Sequence, residues 1–376
     1  MRAVFAIPGN INIRNGGYGY NRQMLSLMPA FGIAASHLQL PASLPQGPAT
    51  DMDEAARLMA GVPRDQVLLV DSLGYSCLSS SLIQTIAAPV VALVHHPLSA
   101  ELGLTGDAAR SCDETERVAL SLARAIVVSS PYTAAQLMRD FSVAVDKLTV
   151  AVPGTAAAKR AVGSGSKACV QLLCVGSLIA RKGYEFLLEA LAELQQFDWH
   201  LTIAGSQSLD APFAQRLIGK IQASPLAQRI TLRDEMPAAA LDELYHHSDV
   251  FLMPSLFEGY GMALAEAMAR GLPIVCTTGG AAAQTVPDGA GLKVAPADAP
   301  ALKQALKMLF ESPALRAKIA DKSWQEGQKL PDWPASANNN CRYCQKRKGG
   351  FLKSLLQLWS ACPNCRLCDR KPPFGF

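Results

Sequence analysis

Residues 249–278 read DVFLMPSLFEGYGMALAEAMARGLPIVCTT. The apolar run VFLM is too short for a helix, and it stops at Pro254 and Ser255, which do not continue a central strand. A turn follows through Glu258, Gly259, Tyr260 and Gly261. GMALAEAMARG then has helical composition, and Ala263, Leu264, Ala265, Ala267 and Met268 mark that helix as largely buried around one carboxylate, Glu266. PIVCTT is a second apolar run. Two strands apolar on both faces and joined by a helix form the βαβ unit of a parallel sheet. Ligands of such sheets gather outside the C-terminal ends of the strands, which is where Glu258 falls.

The same rhythm fills the chain. In its first half, RAVFAI, AASHLQL, QVLLVD, PVVALV, AIVVSS and KLTVAV read as strands, with helical patterns between most of them. In its second half the strands are CVQLLCVGS, WHLTIAG, RITLRD, DVFLMPS, PIVCTT and GLKVA. Between the two series, residues 153–167 (PGTAAAKRAVGSGSK) lose all periodicity and read as a linker. The expected organisation is α/β, with two Rossmann-like, doubly wound parallel-sheet domains facing a central cleft. Residues 1–152 would form an N-terminal domain and residues 168–335 a C-terminal domain, followed by an atypical basic, cysteine-rich tail over residues 336–376.

A length of 376 residues favours two domains, and 49% hydrophobic against 18% charged residues marks a globular chain. No apolar stretch reaches the ~18 residues that span a bilayer, and the apolar run of MRAVFAIPGN is short for a signal peptide. A cytoplasmic protein is expected, with peripheral contact at the inner face of the membrane left open. Five of the ten cysteines stand singly, as small hydrophobes do, and five crowd into the tail. From Asn338 the tail carries eight Lys or Arg against one Asp, so the rest of the chain has 27 bases and 30 acids. The basic charge is local, and the body offers no nucleic-acid surface.

Strand ends supply the candidate residues. Gly16 and Gly17 precede a helix after the first strand, where a backbone can approach a phosphate closely, although an ordinary turn would look the same. His95 is the first residue off PVVALV and could donate to a ligand hydroxyl. Arg181 and Lys182 stand before Gly183 and the helix it opens, a strong anion site unless they are a solvated surface pair. Glu258 and Glu266, eight residues apart, could clamp hydroxyls at the two ends of a sugar nucleotide, with helix amides between them for the diphosphate.

With those residues in order, the chain resembles the family-4 retaining glycosyltransferases of GT-B fold over residues 1 to about 335. The resemblance is carried by GS-x-x-x-RKG, PSLFEG, the E-x7-E pair, GLPIV and TTGGAAAQTVPDGAGLKV. It implies that a hexosyl group passes from a UDP- or GDP-sugar to a hydroxyl acceptor (sugar, glycolipid or small molecule) in glycan, polysaccharide or glycolipid synthesis. It also implies that the domain of residues 1–152 is the acceptor side and that residues 168–335 bind the nucleotide sugar. Glu258 looks like the glutamate on the donor sugar, Glu266 like the one holding the ribose. Arg181 and Lys182 resemble the pair that neutralises the diphosphate, Gly16 and Gly17 the glycine loop near it, and His95 the histidine near the transferred sugar. Gly259, Tyr260 and Gly261 complete the substrate-binding set. The resemblance implies neither a metal nor a cofactor, the nucleotide sugar being a co-substrate. Ser177 stands where many members have Arg, which places more of the diphosphate charge on Arg181 and Lys182.

The tail is unlike the family. Cys341-x2-Cys344 and Cys362-x2-Cys365 have zinc-ligand spacing, but a read-through or frame-shifted end would also be cysteine-rich. Two rival readings follow. One is a zinc-stabilised module binding nucleic acid or protein on an α/β scaffold. The other is a sugar-nucleotide epimerase or hydrolase of GT-B fold.

Overall fold

The structure, a computed structural model, describes residues 1–101, 103–165 and 169–338. Cys341, Cys344, Cys362 and Cys365 lie outside the described residues. The chain divides into two compact units. The first holds Met1–Ile13, Tyr20–Val152 and, of the described residues, 334–338. The second holds Arg14–Gly19 and Pro153–Trp333.

The first unit is built on β1 (Arg2–Pro8), β2 (Ala34–Leu40), β3 (Val67–Asp71), β4 (Val90–Val94), β5 (Ala125–Val128) and β6 (Leu148–Val150). These form one sheet in the order β2-β1-β3-β4-β5-β6, with every pairing parallel. The strands β3, β4 and β5 are buried at every position, which is why their sequences are unbroken apolar runs instead of alternating ones. The order reverses between β1 and β3, and a gap between the outgoing connections opens at that point.

The second unit repeats the plan with β7 (Val170–Val175), β8 (Trp199–Ala204), β9 (Ile230–Arg233), β10 (Val250–Met253), β11 (Ile274–Thr277) and β12 (Gly291–Val294). Its order is β12-β11-β10-β7-β8-β9, again all parallel. Here the reversal lies between β7 and β10. Alternate residues of β10 feed two apolar layers, as the pleat requires. Val250 and Leu252 pack with Trp199, Leu201 and Leu187, whereas Phe251 and Met253 pack with Leu264, Met268 and Ile274. All twelve strands fall on the runs that read as strands, so the α/β expectation holds.

Two local differences from the sequence reading have plain causes. Gly16 and Gly17 do not precede the first helix but begin it (Gly16–Leu27), because Asn15 caps it: Asn15 Oδ1 accepts from Tyr18 N at 2.9 Å. Residues 153–165 have no regular structure, yet they run along the second unit. Thr155 N donates to Pro331 O at 2.8 Å, Ala161 N to Arg270 O at 2.9 Å, and Ser164 N to Asp249 Oδ1 at 3.0 Å.

Candidate active site

At the reversal of the second sheet the chain leaves β7 and turns through the 3-10 segment Ala180–Lys182, while the chain leaving β10 turns through Pro254 to Gly261. Gly183 makes the two turns meet. Its φ is +65°, and a Cβ there would lie 2.1 Å from Pro254 O, so no other residue fits. Leu256 N donates to Arg181 O at 2.8 Å, fixing the register of the two turns.

That contact sets the side chains. Lys182 Nζ donates to Glu258 Oε1 at 2.7 Å. Arg181 Nη1 donates to Phe257 O at 2.9 Å and lies 3.9 Å from Glu258 Oε2. Glu258 is only 6% exposed. Burial pushes its pKa up, but Lys182 and then Arg181 pull harder, and the carboxyl is held below its ordinary value. The backbone of Glu258 is gripped as well: its N–H donates to Gly279 O at 3.2 Å and its carbonyl accepts from Ala281 N at 2.7 Å. Gly280, at φ +64°, allows this, since a Cβ would fall 2.2 Å from Glu258 O. The TTGG of residues 277–280 is therefore a cradle for Glu258.

Gly259 is buried and Tyr260 half-buried, and Tyr260 O accepts from Thr285 Oγ1. Gly261 caps the helix Met262–Ala269 from the left-handed region at φ +89°. Arg14–Gly19 groups with this unit, and a Cβ on Gly16 would lie 3.6 Å from Met262 Sδ, placing the glycine segment at the start of that helix. Glu266 lies further along, half-buried, with Oε2 accepting from Tyr245 Oη at 2.9 Å. Burial raises its pKa, and Tyr245 and Arg270 oppose the rise. Arg270 holds the assembly from the far side. Its guanidinium stacks over Tyr245 at 4.6 Å, Nη1 donates to Glu266 O at 2.9 Å, and Nη2 reaches Asp242 at 2.7 Å.

In the first unit His95 follows β4. Its carbonyl accepts from Ser129 Oγ at 3.1 Å and Thr133 Oγ1 at 3.2 Å, and its ring meets Tyr20 edge-on at 5.3 Å. Nε2 lies 3.8 Å from Asp71 Oδ2. Burial pushes the His95 pKa down; Asp71 opposes this and His96 adds to it. Asp71 ends β3 and caps the short turn after it, accepting from Leu73 N at 3.0 Å and from Asn21 Nδ2 at 2.7 Å. The neighbouring His96 is engaged with Glu101 at 2.6 Å.

The second unit thus gathers Arg181, Lys182 and Glu258 around one point, with Glu266 on the helix that leaves it and Gly16 beside the start of that helix. His95 belongs to the first unit. Asp71, Asn21 and Tyr245 were absent from the sequence-derived set. Asp71 carries the signal that singled out His95, a polar residue closing an apolar strand, whereas Tyr245 sits in the last turn of the helix Ala238–His246 with no signal at all.

Residues 169–312 match the family model described as "Glycosyl transferases group 1". The chain is 29% identical over 309 residues to the MMP alpha-(1->4)-mannosyltransferase of Mycolicibacterium hassiacum, covering 77% of this chain and 73% of that one. It is 30% identical over 146 residues to the lipopolysaccharide core biosynthesis mannosyltransferase LpcC of Rhizobium leguminosarum, which covers 38% of this chain and 41% of that one. Among solved structures, sucrose-phosphate synthase from Thermosynechococcus elongatus superposes with a TM-score of 0.74 at 20% identity, covering 89% of this chain and 96% of that one. Anabaena HepE, solved with UDP and glucose, gives 0.67 at 16% identity, over 88% and 96%. Among the described residues no helix is long and apolar enough to cross a membrane.

Proposed function

We propose, from the premise that residues 169–312 form a group 1 glycosyltransferase domain in a chain of GT-B fold, that this protein transfers a hexosyl group from a UDP- or GDP-sugar to a hydroxyl acceptor with retention of anomeric configuration. The acceptor is a sugar, glycolipid or small molecule, and the work belongs to glycan, polysaccharide or glycolipid synthesis, a reading supported by the lipopolysaccharide core biosynthesis in the name of one mannosyltransferase relative; we place it in the cytoplasm.

One observation carries the reading: two cations and a buried carboxylate share the reversal point of the second sheet, with Lys182 2.7 Å and Arg181 3.9 Å from Glu258. Such a cluster suits a ligand that brings both an anion and hydroxyls. On binding, the diphosphate takes the ammonium and guanidinium, and Glu258 is left to accept from hydroxyls of the donor sugar. Glu266, with one oxygen on Tyr245, keeps the other for the ribose. Bond breaking between the anomeric carbon and the phosphate oxygen builds charge on the departing diphosphate, which Arg181, Lys182 and the amides at the start of Met262–Ala269 stabilise. The acceptor oxygen attacks from the same face, and its proton passes to the leaving phosphate oxygen. No divalent metal is assigned to this step.

UDP- and GDP-sugars should raise the melting temperature of the full chain, since ligands that bind only the native state stabilise it. The anomer of the product, followed by NMR, should match that of the donor, and EDTA should leave turnover unchanged. If no nucleotide sugar stabilises the protein and Glu266→Ala alters nothing, the reading falls.

A further inference from the structure

The helix layer of the first unit has a gap. The connections from β2 to β3, β3 to β4 and β4 to β5 all run the same way along the sheet, so right-handed crossovers place them side by side on one face. The outer two carry full helices, Ala49–Ala60 and Gly106–Leu122. The middle one has only the single turns Ser72–Tyr75 and Ser80–Ile83, too short to fill a helix's place. A groove of about 580 Å³ lies there, with Met52, Cys77, Leu82 and Val118 among its walls. Its apolar side runs on to solvent, since Val118 and Leu122, one helical turn apart, are 38% and 41% exposed. A groove continuous with bared apolar side chains is a surface that an occupant covers.

The charge around the groove narrows the occupant. Asp53 and Glu114 line it, and no Lys or Arg does among the described residues. Glu114 is paired with Arg117, but the two flanking helices together carry seven acids against three arginines. The occupant that complements this surface is both apolar and basic.

A segment of that chemistry belongs to this chain. Residues 346–359, KRKGGFLKSLLQLW, lie beyond the described residues and hold four bases, no acid and six large apolar residues. Leu352, Leu355, Leu356 and Trp359 recur at spacings of three and four, as the anchors of groove-bound segments do. Connectivity favours the same segment. The last described residues belong to the first unit, where Ser336 Oγ donates to Val152 O and Ala337 is buried. Phe351 stands 13 residues beyond Asn338, an extended reach of about 43 Å against a diameter of about 40 Å for a unit of some 150 residues. Being tethered, the segment meets the groove at an effective concentration of about a millimolar, so a weak contact suffices.

We propose that residues 346–359 dock in the groove between Ala49–Ala60 and Gly106–Leu122 of the same chain, with their apolar residues on Met52, Leu82 and Val118 and their bases toward Asp53 and Glu114. Apolar burial supplies the affinity, and the charges select the segment. The contact is independent of the transferase reading.

The test uses the full chain. A carbodiimide, which joins carboxylates to amines in contact, should link Asp53 or Glu114 to Lys346, Lys348 or Lys353, read by peptide mass spectrometry. In a mixture of unlabelled and heavy-isotope chains, each link should stay within one chain. Leu355→Asp with Leu356→Asp should abolish the links and speed alkylation of Cys77, read on its own peptide, by about fivefold or more, as expected when a covering segment is removed. Val118→Lys, at an exposed position, should abolish the links from the side of the groove. Absence of the links in the native chain, links that survive both variants, or an unchanged Cys77 rate overturns the proposal. Links between light and heavy chains also overturn it and give the groove to a second copy.

Discussion

Lys182 Nζ stands 2.7 Å from Glu258 Oε1 although 76 residues separate them, and the lysine and glutamate side chains are only 15% and 8% exposed. A pair this deep depends on both members, because a single buried charge is far costlier than none. Lys182→Met should therefore destabilise the protein by about 3–5 kcal/mol. Lys182→Met with Glu258→Gln should recover much of that stability without recovering activity. Urea unfolding of the three variants checks this, and a single variant as stable as the double would contradict it.

Glu116 is fully buried on the helix Gly106–Leu122, where Oε2 accepts from Leu98 N at 2.8 Å. Burial pushes its pKa up to about 7, and the Leu98 hydrogen bond only partly opposes that. The folded state then holds a proton that the unfolded chain releases near pH 4.5. This stabilisation is full below about pH 4.5 and is lost as pH rises through 7, by at most about 3 kcal/mol. His95 shifts the other way and favours the fold at higher pH, so the comparison must be between variants. Glu116→Gln should flatten the fall in melting temperature between pH 5 and 8 and be the more stable protein at pH 8. Parallel curves for the two proteins would rule the assignment out.

Tyr245 gives Glu266 its only side-chain hydrogen bond among those described, at 2.9 Å. In Tyr245→Phe the carboxylate loses that restraint at a cost of about 1 kcal/mol. Affinity for UDP and GDP should weaken several-fold, and the corresponding deoxyribose nucleotide should lose much less. Isothermal titration of both nucleotide forms reads the difference.

Gly183→Ala tests the contact that assembles the cluster. The substitution adds a Cβ 2.1 Å from Pro254 O at a φ of +65°, so the β7 turn must move away from the β10 turn. Stability should fall by about 2 kcal/mol or more and turnover with it, although the new side chain touches no substrate. Wild-type activity in this variant would mean that Lys182 and Glu258 do not depend on that approach.

The sequence by itself determined the secondary structure and its class. Strands buried on both faces must be written as apolar runs, and helices between them as amphipathic stretches, so β3, β4, β10 and β11 were legible from composition alone. The rule that ligands gather at strand ends then singled out His95, Lys182 and Glu258 as candidates. The tertiary structure decided what those residues meet. Lys182 faces Glu258 because β7 and β10 are neighbours at the reversal of strand order, a relation no local pattern contains. Tyr245 reaches Glu266 from another helix, and Asn21 reaches Asp71 from the helix after β1. Hydrogen bonds and ion pairs act over about 3 Å, so partners are fixed only when packing brings distant segments within that range. Local sequence sets which residues stand at an edge; the order of strands sets which edges touch.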